Sequence, residues 1–385
     1  MVLKRIVVKI GSSSLTDTHG NIDMHKLTDH TSAIAQLKKS GHEVILVTSG
    51  AVAAGYSELG YPSKPVTLAG KQAAAAVGQV KLLNNYASAF RKYGMTVAQL
   101  LLARQDFKKR EQTSHACSTL NELLKRSVIP IINENDSVSL EELTFGDNDM
   151  LSALVSGLVH ADFLVILTDV NGLYDKNPNQ FKDATRYHFL NTLPEPLIKS
   201  VSSTSGSKVG TGGMKSKLRA TETALSLGVR IFIGKGTGPD KLLKIINGDG
   251  NGTYIGPTDL KPSLRVSEQW IALHSPVSGK VEIDDGAAHA LMEKGKSLLP
   301  AGVKRIYGRF YAGEVIQIMD RYHHILGKGQ VNYSADQLNK IKSMPSDLAM
   351  RLVKSDHPEV VHRDNWVPWT ATISPEATEG KEEIK

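Results

Sequence analysis

The sequence predicts an α/β fold, namely a three-layer α/β/α sandwich around a mostly parallel central sheet, followed by a small domain that is mainly β. Three observations support this prediction. Short β-branched segments alternate with helical patterns over the first 258 of the 385 residues. Each segment is apolar along most of its length, which is typical of parallel strands covered on both faces. Beyond about residue 275, short strands separated by glycine turns replace this alternation.

The predicted elements follow one another along the chain, and their type rests on the period of the apolar residues. The predicted strands of the first domain are residues 6–10, 44–48, 96–101, 128–132, 163–167 and 229–233. The helices predicted between them are residues 24–39, 68–92, 113–125, 148–159 and 214–227. In the second domain we expect strands at 305–310, 314–319 and 325–331, and helices at 287–294 and 334–341.

These patterns divide the chain into four parts. We expect residues 1–258 to form the α/β domain, 259–274 a linker, 275–356 the small mainly β domain, and 357–385 a tail that is partly disordered. A glycine-rich polar segment at residues 247–252 precedes the predicted linker. After Trp369 the tail has four glutamates and few apolar residues, which favours disorder.

The composition is that of an ordinary globular protein, with 41% apolar and 22% charged residues. The formal net charge of +7 fits attraction to anionic ligands or RNA, but 46 basic against 39 acidic residues is weak evidence in a long chain. Cys117 is the single cysteine and no signal peptide is apparent, so we expect a cytoplasmic protein. Polar residues interrupt the most apolar window, residues 150–167, so we expect no membrane span.

Residues 210–217 read Gly-Thr-Gly-Gly-Met-Lys-Ser-Lys and lead into a predicted helix. Glycine lets the backbone approach an anion closely, and a helix N-terminus adds partial positive charge. The spacing matches neither the Walker A loop nor the dinucleotide-binding fingerprint. The segment is therefore either an anion-binding loop of another kind or a polar loop before an amphipathic helix.

Polar residues also stand where several predicted strands end. Lys9 is near the end of the first strand, Ser49 follows the second, Asp136 the fourth and Asp169 the fifth. The carboxyl ends of parallel strands meet at one edge of a sheet, so we expect a nucleotide site there beside a site for a small polar substrate. Structural alternatives remain, because a lysine can extend from an edge strand to solvent, and Ser49, Asp147 or Asn148 could cap a helix.

These segments resemble the amino-acid kinase family, and within it the glutamate 5-kinases. The resemblance extends from about residue 4 to the region of residue 356, and residues 285–287, 295–300 and 313–315 resemble a PUA domain. The kinase-like segments are residues 8–13, 47–51, 70–79, 133–136, 146–149, 167–169 and 210–214. The sequences Asn-Glu-Asn-Asp at 133–136 and Gly-Asp-Asn-Asp at 146–149, together with the PUA-like domain, indicate the glutamate 5-kinases in particular.

The resemblance implies ATP-dependent phosphorylation of the side-chain carboxylate of L-glutamate to L-glutamyl 5-phosphate, the first step of proline biosynthesis. It implies ATP and Mg2+ as cofactors, with the metal bound mainly through ATP. It further implies feedback inhibition by proline, a homodimer or homotetramer, and a glutamyl phosphate reductase as partner. The alternatives are another carboxylate or nucleotide kinase of the same family, or an RNA-binding or RNA-modifying protein acting through the PUA-like domain. RNA is not favoured, because basic and aromatic residues form no dense cluster.

The resemblance also implies roles for individual residues. It marks Lys9, Lys217 and Asp149 as catalytic. The residues implied to bind glutamate are Ser49, Asp136 and Asn148. The residues implied to bind ATP are Lys9, Thr168, Asp169, Thr211, Gly212, Gly213, Met214, Lys215, Ser216 and Lys217.

Glutamate is a nucleophile that needs no general base, because its side chain has a pKa of about 4.3 and is an anion at neutral pH. The catalytic task is therefore to offset its repulsion from the ATP phosphates. We interpret Asp149 and Asp169 as residues that position either the two lysines or Mg2+, and both roles remain open at this point.

Overall fold

The computed structural model describes residues 3–17, 21–138, 148–176, 178, 180–195, 197–198, 213–257, 271, 275 and 277–368. The chain divides into two compact units. The first comprises residues 1–106 and 114–263, and the second comprises residues 107–113 and 264–385.

The first unit is built on an eight-stranded sheet with the strand order β3-β4-β2-β1-β5-β7-β8-β6. Neighbouring strands from β3 to β7 are parallel, and β8 runs antiparallel to β7. The mostly parallel sheet that the sequence predicts is thus confirmed. Its strands are β1 (Arg5–Ile10), β2 (Glu43–Val47), β3 (Val97–Leu102), β4 (Ile129–Glu134), β5 (Phe163–Leu167), β6 (Phe189–Leu190), β7 (Arg230–Lys235) and β8 (Asn251–Ile255).

Two helices of the first unit, α1 and α3, begin at side-chain caps. The Asp23 carboxylate accepts hydrogen bonds from the first turn of α1, and Thr67 does the same for α3. The helices are α1 (Met24–Lys39), α2 (Ala51–Gly55), α3 (Leu68–Arg91), α4 (Arg104–Lys108), α5 (Arg110–Lys125), α6 (Asn148–Leu158), α7 (Met214–Ser226) and α8 (Lys241–Asn247). Within the part of the chain that the structure describes, no helix is both long and apolar enough to cross a membrane.

Both faces of the sheet are covered, as β1 illustrates. Ile6, Val8 and Ile10 belong to the apolar core that also contains side chains of α1 and α3. Val7 and Lys9 alternate with them and point to the opposite face, yet both are buried. A lysine that is 3% exposed in a central strand must have partners on the helices of that face.

The second unit contains a five-stranded sheet with the order β10-β9-β11-β12-β13. Its core includes Phe310, Tyr333 and Trp366. The small, mainly β domain that the sequence predicts is thus confirmed. Its elements are β9 (Val277–Ile283), α9 (Asp285–Met292), β10 (Val303–Gly308), β11 (Val315–Met319), β12 (Ile325–Val331), α10 (Ala335–Ile341), α11 (Ser346–Val353) and β13 (Val361–Pro368).

Strand β13 corrects the predicted start of the C-terminal tail. It lies within residues 357–385, yet it pairs antiparallel with β12, and Trp366 is only 7% exposed. The polar residues 362–365 at its centre hide the strand pattern in the sequence. The tail beyond Pro368 and most of the predicted linker lie outside the described residues.

Helices α2 and α3 meet at two glycines. A methyl group on Gly78 would lie 1.8 Å from the carbonyl oxygen of Ala51, and one on Gly55 would lie 2.2 Å from that of Ala74. Both distances are far inside van der Waals contact, so only glycine permits this approach. The approach places α2, which follows β2, against the part of α3 that carries Gln79.

We expect Gly78→Ala to lower the free energy of unfolding by about 3 kcal/mol or more, because the backbones of α2 and α3 must separate. Denaturant unfolding followed by circular dichroism measures this change. Gly286→Ala is the control, because the nearest atom to a methyl group there is 3.5 Å away and the site is helical. Equal stability of Gly78→Ala and the wild type would contradict the close helix contact.

Candidate active site

Polar residues collect at one edge of the first sheet because β1, β2, β4, β5 and β7 run in the same direction. Lys9 is the penultimate residue of β1, Ser49 follows β2 and Thr168 follows β5. Asp136 lies just beyond β4. The structure therefore brings these four residues to a common edge, which is where the topology of a parallel sheet predicts a ligand site.

Two lysines share one carboxylate at this edge. Lys9 Nζ lies 2.5 Å from Asp149 Oδ1, and Lys217 Nζ lies 2.9 Å from Asp149 Oδ2. The side chains are nearly inaccessible, with exposed fractions of 4% for Lys9, 9% for Lys217 and 0% for Asp149. Three elements far apart in sequence thus form a buried cluster with two positive charges and one negative charge.

The helices of this face explain why the cluster forms. Asp149 is the second residue of α6, where the helix dipole stabilises a carboxylate. Lys217 lies in the first turn of α7, and α6 packs against both α7 and β1. Burying charged groups is costly unless each is paired, so the two ion pairs are a condition for folding this face. The cluster retains an excess of one positive charge, which favours a polyanionic ligand beside it.

A chain of side-chain amides connects the start of α6 with β2, β4 and α3. Asn148 Nδ2 donates to the backbone oxygen of Thr48, and lies 3.0 Å from Ser49 Oγ and 2.8 Å from Asn133 Oδ1. Asn133 Nδ2 in turn donates to Gln79 Oε1 at 2.7 Å. Asn148 therefore holds the end of β2, and through Asn133 it also holds Gln79.

Helix-capping explains neither Ser49 nor Asn148. The N-cap of α2 is Gly50, whose φ of 98° is in the left-handed region that favours glycine, so the alternative interpretation of Ser49 as the cap is wrong. Asn148 is the first residue of α6, and its amide donates to neighbouring strand ends instead of capping the helix. Asp147, the other capping candidate, lies outside the described residues.

A cavity of about 280 Å³ lies beside this network. Two of its lining residues, Glu134 and Asp136, are acidic. Burial raises the pKa of Asp136 to about 6, and the nearby Lys64 opposes this rise. The other lining residues are Ala51, Ala75, Ala76, Gln79, Val80, Gln99, Leu101, Asn135 and Ser137. An acidic, amide-rich cavity of this size suits a small ligand that carries a cationic group.

The residues implied to bind ATP lie on the other side of Lys9. Thr168 Oγ1 donates to Asp169 Oδ1 at 3.0 Å, directly after β5. Gly213 is the N-cap of α7 and provides no side-chain acceptor for its first turn, which contains Met214, Lys215, Ser216 and Lys217. Thr211 and Gly212 lie outside the described residues. The described part of this site is thus an uncapped helix N-terminus next to the lysine pair, a favourable position for phosphate.

Comparison with known proteins agrees with this geometry. Residues 4–235, which contain Lys9, Asp149 and Lys217, match the model of the amino acid kinase family. The chain belongs to the amino acid kinase family. Residues 279–352 match the PUA domain, so both resemblances that the sequence suggested are confirmed. Amino acid kinases are phosphotransferases, and the chain is an enzyme of that class.

Curated relatives within the amino acid kinase family are similar to nearly the whole chain. A glutamate 5-kinase of Bacillus cereus (strain ATCC 10987 / NRS 248) is 59% identical over 367 residues, which cover 95% of this chain and 100% of that protein. A glutamate 5-kinase of Bacillus anthracis is 58% identical over the same shares. One from Halalkalibacterium halodurans is 56% identical over 95% of this chain and 98% of its own length.

A second, mostly buried cluster in the first unit was missed by the sequence predictions. Lys241 Nζ contacts the Asp29 carboxylate and lies 3.0 Å from His30 Nδ1, and His30 Nε2 lies 3.0 Å from the backbone oxygen of Ser14. Asp29 Oδ1 also accepts from Gly238 N at 2.8 Å. The cluster therefore fixes the turn after β1 and the loop after β7, on either side of Thr168. Asp29 and Lys241 are 212 residues apart, so no local pattern could reveal it.

The contacts of His30 define its protonation state. A lysine ammonium only donates, so Nδ1 must accept from Lys241, and the proton must be on Nε2, which donates to the Ser14 carbonyl. Burial and the positive charge of Lys241 lower the pKa of His30 to about 4. The imidazole is therefore neutral in the folded protein at neutral pH.

We expect this neutral histidine to make stability depend on pH. The unfolded chain binds a proton near pH 6.5 and the folded protein only near pH 4, so stability is complete above about 6.5 and falls as the pH is lowered through that window. The loss should be roughly 2 kcal/mol between about pH 7 and pH 5.

His30→Gln is the test variant, because a glutamine can donate to Ser14 but does not titrate. Denaturant unfolding at the two pH values should show roughly 2 kcal/mol less pH dependence than in the wild type. The same pH dependence in both proteins would mean that His30 is not the titrating group.

Proposed function

We propose that this chain transfers the γ-phosphoryl group of ATP to the side-chain carboxylate of L-glutamate and forms L-glutamyl 5-phosphate, the first step of proline biosynthesis. The pair of buried lysines on one carboxylate, beside an acidic cavity, is the observation that carries the proposal. The family match supports phosphoryl transfer. The relatives named glutamate 5-kinase, up to 59% identical, support glutamate as the acceptor.

The lysine pair answers the electrostatic problem of this reaction. An anionic acceptor must approach the polyanionic ATP, and each pair of unit charges about 4 Å apart is worth roughly 4 kcal/mol at an effective dielectric constant near 20. Lys9 and Lys217 carry two positive charges against the single charge of Asp149. Their excess charge offsets the repulsion at the transferring phosphoryl group and the β-phosphate.

Asp149 acts in this proposal by positioning the lysines. Its Oδ2 atom accepts a hydrogen bond from Lys217, and its Oδ1 atom forms an ion pair with Lys9. One carboxylate thus holds both ammonium groups in place. A role as general base is unnecessary, because the acceptor is ionised at neutral pH. Its contacts therefore favour the positioning of lysines over direct metal binding.

The acceptor would bind on the side of Lys9 that faces β2 and β4, opposite the residues proposed to bind ATP. Asp136 is the acidic residue proposed to bind the α-ammonium group, for which it must be ionised. Asn148 holds Ser49 and Thr48 at the end of β2, and we propose that this strand end binds the reacting carboxylate. In this proposal, Asn148 contributes to acceptor binding mainly by orienting Thr48 and Ser49.

Several finer expectations stay predictions. We propose that Mg2+ arrives bound to ATP. Bound in that way, Mg2+ would neutralise charge on the phosphates. Cytoplasmic location, inhibition by proline, a homodimer or homotetramer, and transfer of the product to a glutamyl phosphate reductase are further proposals.

We expect ADP release to require L-glutamate, and to be much slower with aspartate, N-acetylglutamate or uridine monophosphate.

Lys9→Ala and Lys217→Ala should each lower kcat by about a hundredfold or more, because each removes a positive charge that lies beside the transferring phosphoryl group. Lys81→Ala is the matched control, since Lys81 forms an exposed ion pair with Glu58. Faster turnover with another acceptor would contradict the proposed substrate, and a fully active Lys9→Ala would contradict the mechanism.

We expect kcat/KM for glutamate to fall about tenfold per pH unit below about pH 6, because protonated Asp136 no longer attracts the α-ammonium group. Asp136→Asn should have a low kcat/KM that does not change over this range. Initial rates at saturating ATP measure both. If the kcat/KM of the wild type does not change between about pH 7 and pH 5, Asp136 does not take part in binding the acceptor.

A further inference from the structure

Two buried amide nitrogens beside the acceptor cavity lack hydrogen-bond partners among the described residues. Gln79 on α3 and Gln99 on β3 both line the cavity, and neither Nε2 atom has a partner among the described residues. Gln79 is 9% exposed. An unsatisfied buried donor costs roughly 1–3 kcal/mol, so two of them at one cavity need an explanation.

The orientation of Gln79 follows from the chemistry of its neighbours. The backbone N–H of Glu134 can only donate, so the atom that it contacts at 2.9 Å must be the oxygen of the Asn133 amide. Asn133 Nδ2 is then the donor toward Gln79, and the Gln79 atom that it contacts must be Oε1. The backbone oxygen of Thr48 fixes Asn148 Nδ2 as a donor in the same way.

The amide chain therefore has one direction. Asn148 donates to Asn133, Asn133 donates to Gln79, and the amide nitrogen of Gln79 is left as the donor at the end of the chain. Reversing Gln79 alone would place two N–H groups against each other. A donor whose direction is fixed by backbone groups is preorganised to meet an acceptor atom.

We propose that Gln79, together with Gln99, binds the α-carboxylate of the acceptor and so determines its specificity. This inference rests on the proposed function, since glutamate is assumed to be the acceptor. An amino-acid head group needs acceptors for its ammonium and donors for its carboxylate. Glu134 and Asp136 are the acidic residues of the cavity, and the two amides are its unpartnered donors. The Ser137 hydroxyl already donates to Asn135 Oδ1.

The test variant is Gln79→Glu, which keeps an oxygen to accept from Asn133 and replaces the terminal donor by a negative oxygen. We expect the KM for glutamate to rise about tenfold or more, with the KM for ATP nearly unchanged, because the new carboxylate repels the α-carboxylate. Asn84→Asp, the same chemical change at an exposed position of α3, should leave both KM values unchanged.

A substrate analogue separates recognition from a general structural effect. Glutamate α-amide keeps the reacting side-chain carboxylate but has a neutral amide in place of the α-carboxylate. The wild type should prefer glutamate over this amide, and Gln79→Glu should reduce that ratio of kcat/KM values about tenfold or more. A loss of folding alone would lower both values without changing their ratio.

The outcomes distinguish the two proposals. No glutamate-dependent ADP release by the wild type would overturn the proposed function. An active wild type with an unchanged KM and an unchanged analogue ratio in Gln79→Glu would overturn the role of Gln79. If Gln79→Glu does not fold, judged by circular dichroism, Gln99→Glu takes its place and must show the same reduced ratio; an unchanged ratio there overturns the proposal.

Discussion

The site depends on the carboxylate of Asp149, which is buried between the ammonium groups of Lys9 and Lys217. Two like charges that approach one another away from water repel strongly, and one carboxylate between them turns this repulsion into two ion pairs. The arrangement is stable only if β1, α6 and α7 are held in register. The buried strands, the buried length of α6 and its packing on α7 provide that register.

The start of α6 joins two halves of the site that have different chemistry. Asp149 faces the lysine cluster, whereas the preceding residue, Asn148, begins the amide chain that leads to the acidic cavity. Any shift of this helix end would move the lysines and the amides together. In the proposed mechanism, one turn of helix therefore positions the phosphoryl donor and the acceptor relative to each other for in-line transfer.

The sequence predicts those features whose signals are local or follow from topology. The bounds of α1 and β5 agree with prediction to the residue, because a capped amphipathic helix and a continuous apolar strand leave clear patterns. Lys9 and Asp136 could be placed at one edge because parallel strands share their direction. Strand β13 was missed because its centre is polar, and the His30 cluster and the Gln79 amide chain were missed because they join residues that are distant in sequence.

The distribution of charge explains why neutral amides suit the acceptor side better than arginine or lysine would. The phosphoryl side already has an excess positive charge on Lys9 and Lys217, and a further cation in the cavity would attract ATP phosphates into the acceptor's place. Amide donors bind a carboxylate by direction and without net charge. Together with the acidic Asp136, they admit a group that carries both an ammonium and a carboxylate and disfavour a polyanion. In the proposed mechanism, the two anionic substrates are thus separated by the sign of the charge that each half of the site presents.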